Sequence, residues 1–194
     1  NQIYLGRLKV LDIRLSPEFI QKTESKFSIL EENDIRLLMK PRGDFAHKGT
    51  MGTALIIAGS YGMSGASVLA TKACLRAGTG KVISEPVDTD YYSAMGIGPG
   101  LGTNESTAIA LIAQLRRSTC PTVVDADALN ILASHRAWMQ QLPKDIIFTP
   151  HPRELDRLAG NTSSNCMERL DKAIELAERL QGYIILKGHY SALC

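Results

Sequence analysis

Residues 53–65 have the sequence TALIIAGSYGMSG, an apolar run followed by a glycine-rich loop. Residues 66–77 come next, with helical periodicity, and Gly78 follows them. A short apolar run indicates a buried strand, and a glycine directly after an amphipathic segment is typical of a helix end. This stretch therefore predicts a strand over 53–58, a loop over 59–65 and a helix over 66–77.

The same strand, loop and helix pattern recurs three more times, and a fifth apolar run closes the series. The further predicted strands are 95–98, 122–124, 146–148 and 183–186, and the further predicted helices are 104–115, 128–134, 154–159 and 166–180. Apolar strands that alternate with helices predict a mainly parallel sheet in a three-layer α/β/α fold. Each loop rich in Gly, Pro, Asp or His follows a strand, so we expect these loops to meet at one edge of the sheet, where such folds bind ligands.

The 194 residues are 44% hydrophobic and 22% charged, which is typical of one globular domain. A formal net charge of +2 favours neither nucleic acid nor an anionic membrane as partner. The longest apolar runs fall far short of the ~20 residues that a membrane span requires. Four widely spaced cysteines predict neither a disulfide framework nor a zinc site and fit a reducing cytoplasm. We therefore expect a cytoplasmic protein that binds a small molecule.

Two glycine-rich turns, at 59–66 and 98–102, each join a predicted strand to a helix. Free backbone N–H groups at a helix start favour an anion, so two such turns suggest a ligand with more than one phosphate. The spacing is neither that of a P-loop nor that of the dinucleotide fingerprint. The alternative is that the glycines serve only tight turns and close helix packing.

Polar side chains follow the later strands. Asp125, Asp127 and Asn130 are candidates to hold ribose hydroxyls, a metal-bound water or a substrate hydroxyl, although Asp127 could instead cap the helix at 128. His151 stands between two prolines, which predicts a rigidly held ring at the sheet edge or, alternatively, a buried hydrogen-bonded histidine. Lys187 ends the last predicted strand and could meet a nucleotide phosphate, or lie free in solvent. Lys48 could bring a second cation to the same edge.

Six short strings occur in one order and together resemble a known family. They are HKGTMG at 47–52, GS and GA at 59–60 and 65–66, GPGLG at 98–102, DADALN at 125–130, TPHPRE at 149–154 and LKG at 186–188. From about residue 34 to residue 191 the chain closely resembles the ADP/ATP-dependent NAD(P)H-hydrate dehydratases, whose fold is ribokinase-like.

The resemblance implies a metabolite-repair reaction. The family dehydrates hydrated NADH (NADHX) and hydrated NADPH (NADPHX), S epimers, by transferring a phosphoryl group to the ring hydroxyl so that it leaves as phosphate. The resemblance implies ADP, by analogy with bacterial relatives, or ATP as donor, Mg²⁺ and potassium as ions, and a homotetramer. It also implies substrate contacts at Ala66, Gly100 and His151, beside Asp125, Asp127 and Asn130, and a nucleotide site formed by Lys187, Gly188, His189, Tyr190 and Ser191.

The resemblance also divides the chain. Residues 1–20 resemble the end of the epimerase domain of bifunctional members, or a linker, and 21–194 resemble the dehydratase domain, so we expect the intact protein also to interconvert the hydrate epimers. Residues 9–13 are predicted to form a detached strand.

Three departures from the family pattern stand out. Arg153 occupies the usual place of a glycine, and the stretch 81–94 is shorter than in the family. The sequence ends at Cys194, before a Gly-Ser-Gly-Asp segment whose aspartate would be the catalytic base. We therefore expect the native chain to continue, and we assign neither a catalytic residue nor metal ligands here.

Three alternatives remain at this point. A ribokinase-like small-molecule kinase would share the loops and the phosphoryl step. A nicotinamide dehydrogenase fits less well, because the fingerprint spacing and its later acidic residue are lacking. A nucleotide sensor without turnover would bind ADP or ATP alone.

Overall fold

The computed structural model describes residues 9, 11–39, 41–84 and 89–194. The chain folds into two compact units, the first ending at Ala46 and the second extending from His47 to Cys194. None of the helices in these described ranges has the length and apolar content to cross a bilayer.

The first unit contains two short helices, α1 (Pro17–Lys22) and α2 (Glu32–Leu38). The Ser16 hydroxyl caps α1, and α2 begins with a reciprocal capping box between Glu31 and Asp34. Neither helix buries a residue. The predicted strand over 9–13 is wrong for residues 9 and 11–13, which have no regular structure, and Val10 lies outside the described residues. The epimerase-like origin of 1–20 stays a prediction.

The second unit is built on a seven-stranded sheet in the order β2-β1-β3-β4-β5-β6-β7. All neighbouring strands are parallel except β6 and β7, which are antiparallel. The mainly parallel sheet predicted from the sequence is therefore confirmed. The strands are β1 (Thr53–Ile57), β2 (Lys81–Ile83), β3 (Ala94–Ile97), β4 (Thr122–Val124), β5 (Ile147–Phe148), β6 (Tyr183–Leu186) and β7 (Ala192–Leu193).

Six helices belong to this unit within the described residues. They are α3 (Ser64–Arg76), α4 (Glu105–Arg116), α5 (Asp127–Ser134), α6 (Arg136–Met139), α7 (Pro152–Ala159) and α8 (Cys166–Leu180). Thr103 and Asn104 are the two N-cap candidates in the sequence, and it is the Asn104 side chain that accepts from the Thr107 N–H and caps α4. Gly160 ends α7 with a φ of 92°, the left-handed conformation expected of a helix C-cap glycine.

The two faces of the sheet are covered by different helices. Leu55, Val124 and Phe148 are fully buried in a core that also holds side chains of α4, α5, α7 and α8. On the opposite face, where alternation places Ile56 and Val123, helix α3 contributes Ala70. Helices thus lie on both faces, which confirms the three-layer α/β/α fold.

An ion pair between Asp156 of α7 and Arg169 of α8 connects these two helices. The Asp156 carboxylate accepts hydrogen bonds from the Arg169 guanidinium at 3.2–3.3 Å and from the Ser163 hydroxyl at 2.7 Å. Burial alone would raise the pKa of Asp156, but the hydrogen bonds and charge of Arg169 and the bonds from Ser163 outweigh it, so the pKa lies below its usual value.

Asp156→Asn is expected to lower the thermal unfolding midpoint at neutral pH by roughly 2–8 °C, because a charged hydrogen-bonded pair contributes about 1–2 kcal/mol. A carboxylate whose pKa is lower in the folded than in the unfolded protein stabilises the fold fully above the unfolded pKa of about 3.9. This stabilisation is lost as the pH falls through the pKa of the folded protein. The difference between the two proteins should therefore shrink below about pH 4.

Thermal melts of both proteins across pH measure this difference. Glu178→Gln is the matched control, because Glu178 is an exposed carboxylate on α8. An equal effect of Asp156→Asn at acidic and neutral pH would contradict the ion-pair explanation.

Candidate functional site

The loops after β1, β3, β4, β5 and β6 meet at one edge of the sheet. We call these loops, residues 58–63, 98–104, 125–126, 149–151 and 187–191, the carboxyl edge. The Gly59 N–H donates to the Pro99 carbonyl at 2.7 Å, and the Lys187 N–H donates to the Pro150 carbonyl at 2.9 Å. The predicted convergence of the loops is confirmed by these contacts.

An ion pair lies at the centre of the carboxyl edge. The Lys187 ammonium donates to Asp125 Oδ1 at 2.7 Å, although 62 residues separate the two in sequence. Their side chains are 42% and 33% exposed, so both remain open to a ligand. They line a cavity of about 360 Å³ together with Pro99, Thr149 and the apolar side chain of Val123. A charged pair beside an apolar pocket is suited to a phosphorylated organic ligand.

Asp127 does not cap the helix that follows it, so that alternative is wrong. Its Oδ2 accepts from the Gly102 N–H at 2.9 Å, and its Oδ1 accepts from the Asn130 amide at 3.4 Å. The N-cap position of α5 is Ala126, with a φ of 51° and no side-chain cap bond. This unusual backbone conformation separates the two aspartates, so that Asp125 meets Lys187 while Asp127 meets the glycine turn.

The two glycine turns contact each other at the start of α3. A Cβ atom built on Gly100 would lie 2.7 Å from the Cβ of Ala66 and 3.4 Å from Met63. Ala66 and Gly100, both predicted substrate contacts, are therefore neighbours. Whether they touch substrate stays a prediction.

His151 caps α7 with its ring. Its Nδ1 accepts from the Arg153 N–H at 3.1 Å and from the Glu154 N–H at 3.4 Å, while the buried Glu154 carboxylate accepts from the His151 N–H at 2.8 Å. A ring whose Nδ1 accepts carries its hydrogen on Nε2, and that atom lies 3.4 Å from Glu154 Oε1. Of the alternative, a buried and hydrogen-bonded histidine, the hydrogen bonding is confirmed, whereas the burial is wrong because this side chain is 44% exposed.

Residues 187–191 form the connection between β6 and β7. The rings of His189 and Tyr190 pack edge to face, with centroids 4.7 Å apart. Gly188, His189, Tyr190 and Ser191 are all exposed at the carboxyl edge. The Lys187 side chain bonds to Asp125, another predicted site residue. Their nucleotide-binding role stays a prediction.

Lys48 is not at this edge. A Cβ built on Gly80 would lie 1.8 Å from the Lys48 carbonyl oxygen, so Lys48 lies where β1 and β2 begin. The prediction that it reaches the carboxyl edge is wrong, because the segment 47–52 enters β1 from the amino end.

Sequence reasoning missed a second, larger cavity. It measures about 870 Å³ and is lined by Thr103 of the carboxyl edge and by Asp127 and Asn130, which follow that edge. We call it the arginine cavity after Arg136, Arg153 and Arg157, which also line it. The spacing of Arg153 and Arg157, four residues apart at the start and in the middle of a helical segment, was the available signal.

A family model described as NAD(P)H-hydrate dehydratase matches residues 83–194, a range that includes the ion pair, the second glycine turn and His151. The chain belongs to the NAD(P)H-hydrate dehydratase family. A bifunctional NAD(P)H-hydrate repair enzyme of Coxiella burnetii is 32% identical over 95% of this chain and 43% of its own length. An ADP-dependent (S)-NAD(P)H-hydrate dehydratase of Neisseria meningitidis is 34% identical over 78% of this chain and 61% of its own length. The chain therefore spans less than two thirds of these relatives.

Solved structures agree with this family assignment. The ADP/ATP-dependent NAD(P)H-hydrate dehydratase of Bacillus subtilis, co-crystallized with ATP and Mg²⁺, matches with a TM-score of 0.70 and 30% identity over 84% of this chain and 68% of its own. A ribokinase-like superfamily protein of Enterococcus faecalis matches with a TM-score of 0.67 and 21% identity, over 79% of this chain and 63% of its own, which shows the fold alone. The ribokinase-like fold of this family member is thus confirmed.

Proposed function

We propose that the protein dehydrates the S epimers of NADHX and NADPHX to NADH and NADPH, with ADP favoured over ATP as phosphoryl donor. The observation that carries the proposal is the Asp125–Lys187 pair, which lines one cavity with Pro99 of the second glycine turn in a member of the dehydratase family. We also propose that this metabolite repair takes place in the cytoplasm and that the enzyme is a homotetramer. Size-exclusion chromatography with light scattering tests the oligomeric state.

The proposed reaction has two steps. In the first, the ring hydroxyl oxygen forms a bond to the terminal phosphorus of ADP, the phosphoanhydride bond breaks, AMP leaves and the hydroxyl proton is released. In the second, the C–O bond breaks with its electron pair on the departing phosphate, and a base removes the proton from the neighbouring carbon, which restores the ring double bond. The first step is needed because hydroxide is a poor leaving group, whereas phosphate is a good one.

The residues of the carboxyl edge supply charge and position. Lys187 offsets the charge of the transferred phosphoryl group, and Asp125 holds the ammonium there through the 2.7 Å bond. Ala66 and Gly100 let the substrate approach the backbone closely, and Asp127 and Asn130 offer polar atoms to its hydroxyls. His151 offers the exposed part of its ring to substrate, with its Nε2 held 3.4 Å from Glu154 Oε1, and residues 188–191 lie against the nucleotide. We assign the base to none of the described residues.

Mg²⁺ fits this site as an ion held mainly by phosphate. Within the described ranges, no group of three His, Cys, Asp or Glu side chains could hold a metal by itself. Mg²⁺ commonly uses one or two carboxylates together with phosphate oxygens and water, and Asp125 is the carboxylate in place. The ion would neutralise phosphate charge during transfer. Potassium stays a prediction without assigned ligands.

Incubating the protein with S-NADHX, Mg²⁺ and ADP, and in parallel ATP, tests the function. The reduced-nicotinamide absorbance should return, with one phosphate and one AMP released per NADH when ADP is used. No return with either nucleotide would reject the dehydratase, and accumulation of a phosphorylated hydrate would favour the small-molecule kinase. Starting from the R epimer tests whether the intact protein also carries epimerase activity.

A further inference from the structure

The arginine cavity is a second concave site beside the carboxyl edge. Its walls come from α5 and α7, with Arg136 of α6 and the loop that follows α7. Its volume of about 870 Å³ is within the range of small-molecule sites and exceeds that of the cavity beside Lys187.

Two of its arginines are held in place by the protein. The Arg136 guanidinium donates to the Arg157 carbonyl at 3.0 Å and lies directly over Gly160. Arg157 donates through Nε to the Arg153 carbonyl at 3.1 Å and through Nη1 to the Asn130 side-chain oxygen. Because these bonds use only some of the five donors of each guanidinium, others remain for a ligand.

The third guanidinium, that of Arg153, has no hydrogen-bond or ion-pair partner within residues 9, 11–39, 41–84 and 89–194. Arg153 is also in the first turn of α7, where the helix dipole disfavours a cation. The fold thus carries an unpartnered positive charge at an unfavourable position, next to a cavity. Arg153 is exposed, so its guanidinium is accessible to an anion in that cavity, which would offset the unfavourable helix-start charge.

The acidic residues of the cavity neutralise these three arginines only in part. Asp156 is paired with Arg169 at 3.2 Å, and Asp127 accepts from the Gly102 N–H and from Asn130. Three guanidinium groups therefore face the cavity with excess positive charge. Guanidinium groups bind phosphate oxygens in pairs, which makes a phosphate the fitting anion.

Asp127 and Asn130 connect this cavity to the carboxyl edge. Asn130 accepts from Arg157 on the cavity side and donates to Asp127, which in turn holds the Gly102 turn. An extended ligand with its reactive ring near Lys187 can therefore place its far end in the arginine cavity.

We propose that the arginine cavity binds a phosphomonoester and that Arg153 thereby makes the enzyme prefer NADPHX, which carries a 2′-phosphate, over NADHX. The preference rests on the proposed function, whereas phosphomonoester binding does not. The phosphate could come from the substrate itself or from a separate phosphorylated compound, and the two sources are separable by experiment.

Calorimetric titration of the protein with three probes tests the proposal. The probes are 2′-phospho-ADP-ribose, ADP-ribose, which lacks only the 2′-phosphate, and inorganic phosphate. The 2′-phosphorylated probe is expected to bind about 10-fold more tightly than ADP-ribose, and Arg153→Gln should remove most of that ratio. Arg153→Lys should retain part of it, because the charge stays and the paired donors are lost.

Arg116→Gln is the matched control, since Arg116 is an exposed arginine in the last turn of α4 and does not line the cavity. Its binding ratio should equal that of the unmodified protein. Arg153→Gln should fold normally, with an unfolding midpoint unchanged or slightly higher, because no side-chain partner is lost and the unfavourable helix-start charge is removed.

Equal affinity for the two adenine probes, an unchanged ratio in Arg153→Gln, or no response to any probe would overturn the proposal. Arg153-dependent binding of inorganic phosphate without discrimination between the adenine probes would assign the cavity to a separate phosphate compound and overturn the substrate preference. These titrations need no turnover, so an inactive enzyme that still discriminates the probes would refute the proposed function alone.

Discussion

Lys187→Met is expected to lower kcat for S-NADHX about 10²–10³-fold, the usual cost of removing one positioned group that stabilises transition-state charge. Methionine has nearly the length of lysine but cannot offset the charge of a phosphoryl group in transfer. The stability of the protein should hardly change, because an ion pair with side chains 42% and 33% exposed contributes only about 0–1 kcal/mol. Steady-state kinetics and a thermal melt of the same preparation measure both quantities.

The chain offers a closely matched control for this substitution. The Lys172 ammonium also lies 2.7 Å from a carboxylate, that of Glu168, but this pair is on α8 and away from the carboxyl edge. Lys172→Met should leave kcat within about twofold, because the Lys172 ammonium bonds only to Glu168, the Thr162 carbonyl and the Ser163 hydroxyl among the described residues, none of them at the carboxyl edge. If Lys187→Met retains kcat within a similar range, Lys187 takes no part in phosphoryl transfer.

The layered fold could be predicted from the sequence because the same pattern repeats along the chain. Each main strand is short and apolar, and a polar or glycine-rich loop follows it. The strand at 53–57, its glycine loop and the helix through residue 76 show this, with boundaries within two residues of the prediction. β2 and β7 were not predicted. β7 has two residues and β2 has three with alternating exposure, so neither produces a continuous apolar run.

The site was predictable to the extent that topology alone brings loops together. Asp125 and Lys187 end parallel strands that flank β5, so their proximity follows from the strand order. The partner of Asp127 could not be predicted, because it depends on the unusual backbone at Ala126. The arginine cavity was missed for a similar reason, since Arg136 and Arg157 acquire their positions only through side-chain bonds across helices.

Gly98→Ala should produce the largest loss of stability, about 3–5 kcal/mol, by combining backbone strain with overpacking. Gly98 has a φ of 137°, which L residues rarely adopt, and a Cβ there would lie 1.8 Å from the Asp125 carbonyl oxygen. Neither backbone can yield easily, because the Gly98 N–H donates to Ile57 and the Asp125 N–H donates to Ile97, each at 3.0 Å. The unfolding midpoint should fall by roughly 10 °C.

The same substitution should also impair the site, because relief of the clash would displace Asp125 and with it the partner of Lys187. Gly102→Ala separates the backbone strain from the steric clash as causes of the stability loss. Gly102 has a φ of 73°, but a Cβ there would meet nothing within 4 Å, so strain alone should cost about 1–2 kcal/mol. Chemical denaturation of the two variants measures the difference. Equal losses would show that the Gly98 turn can move away from Asp125, and the close contact between these two loops would then not hold the ion pair in place.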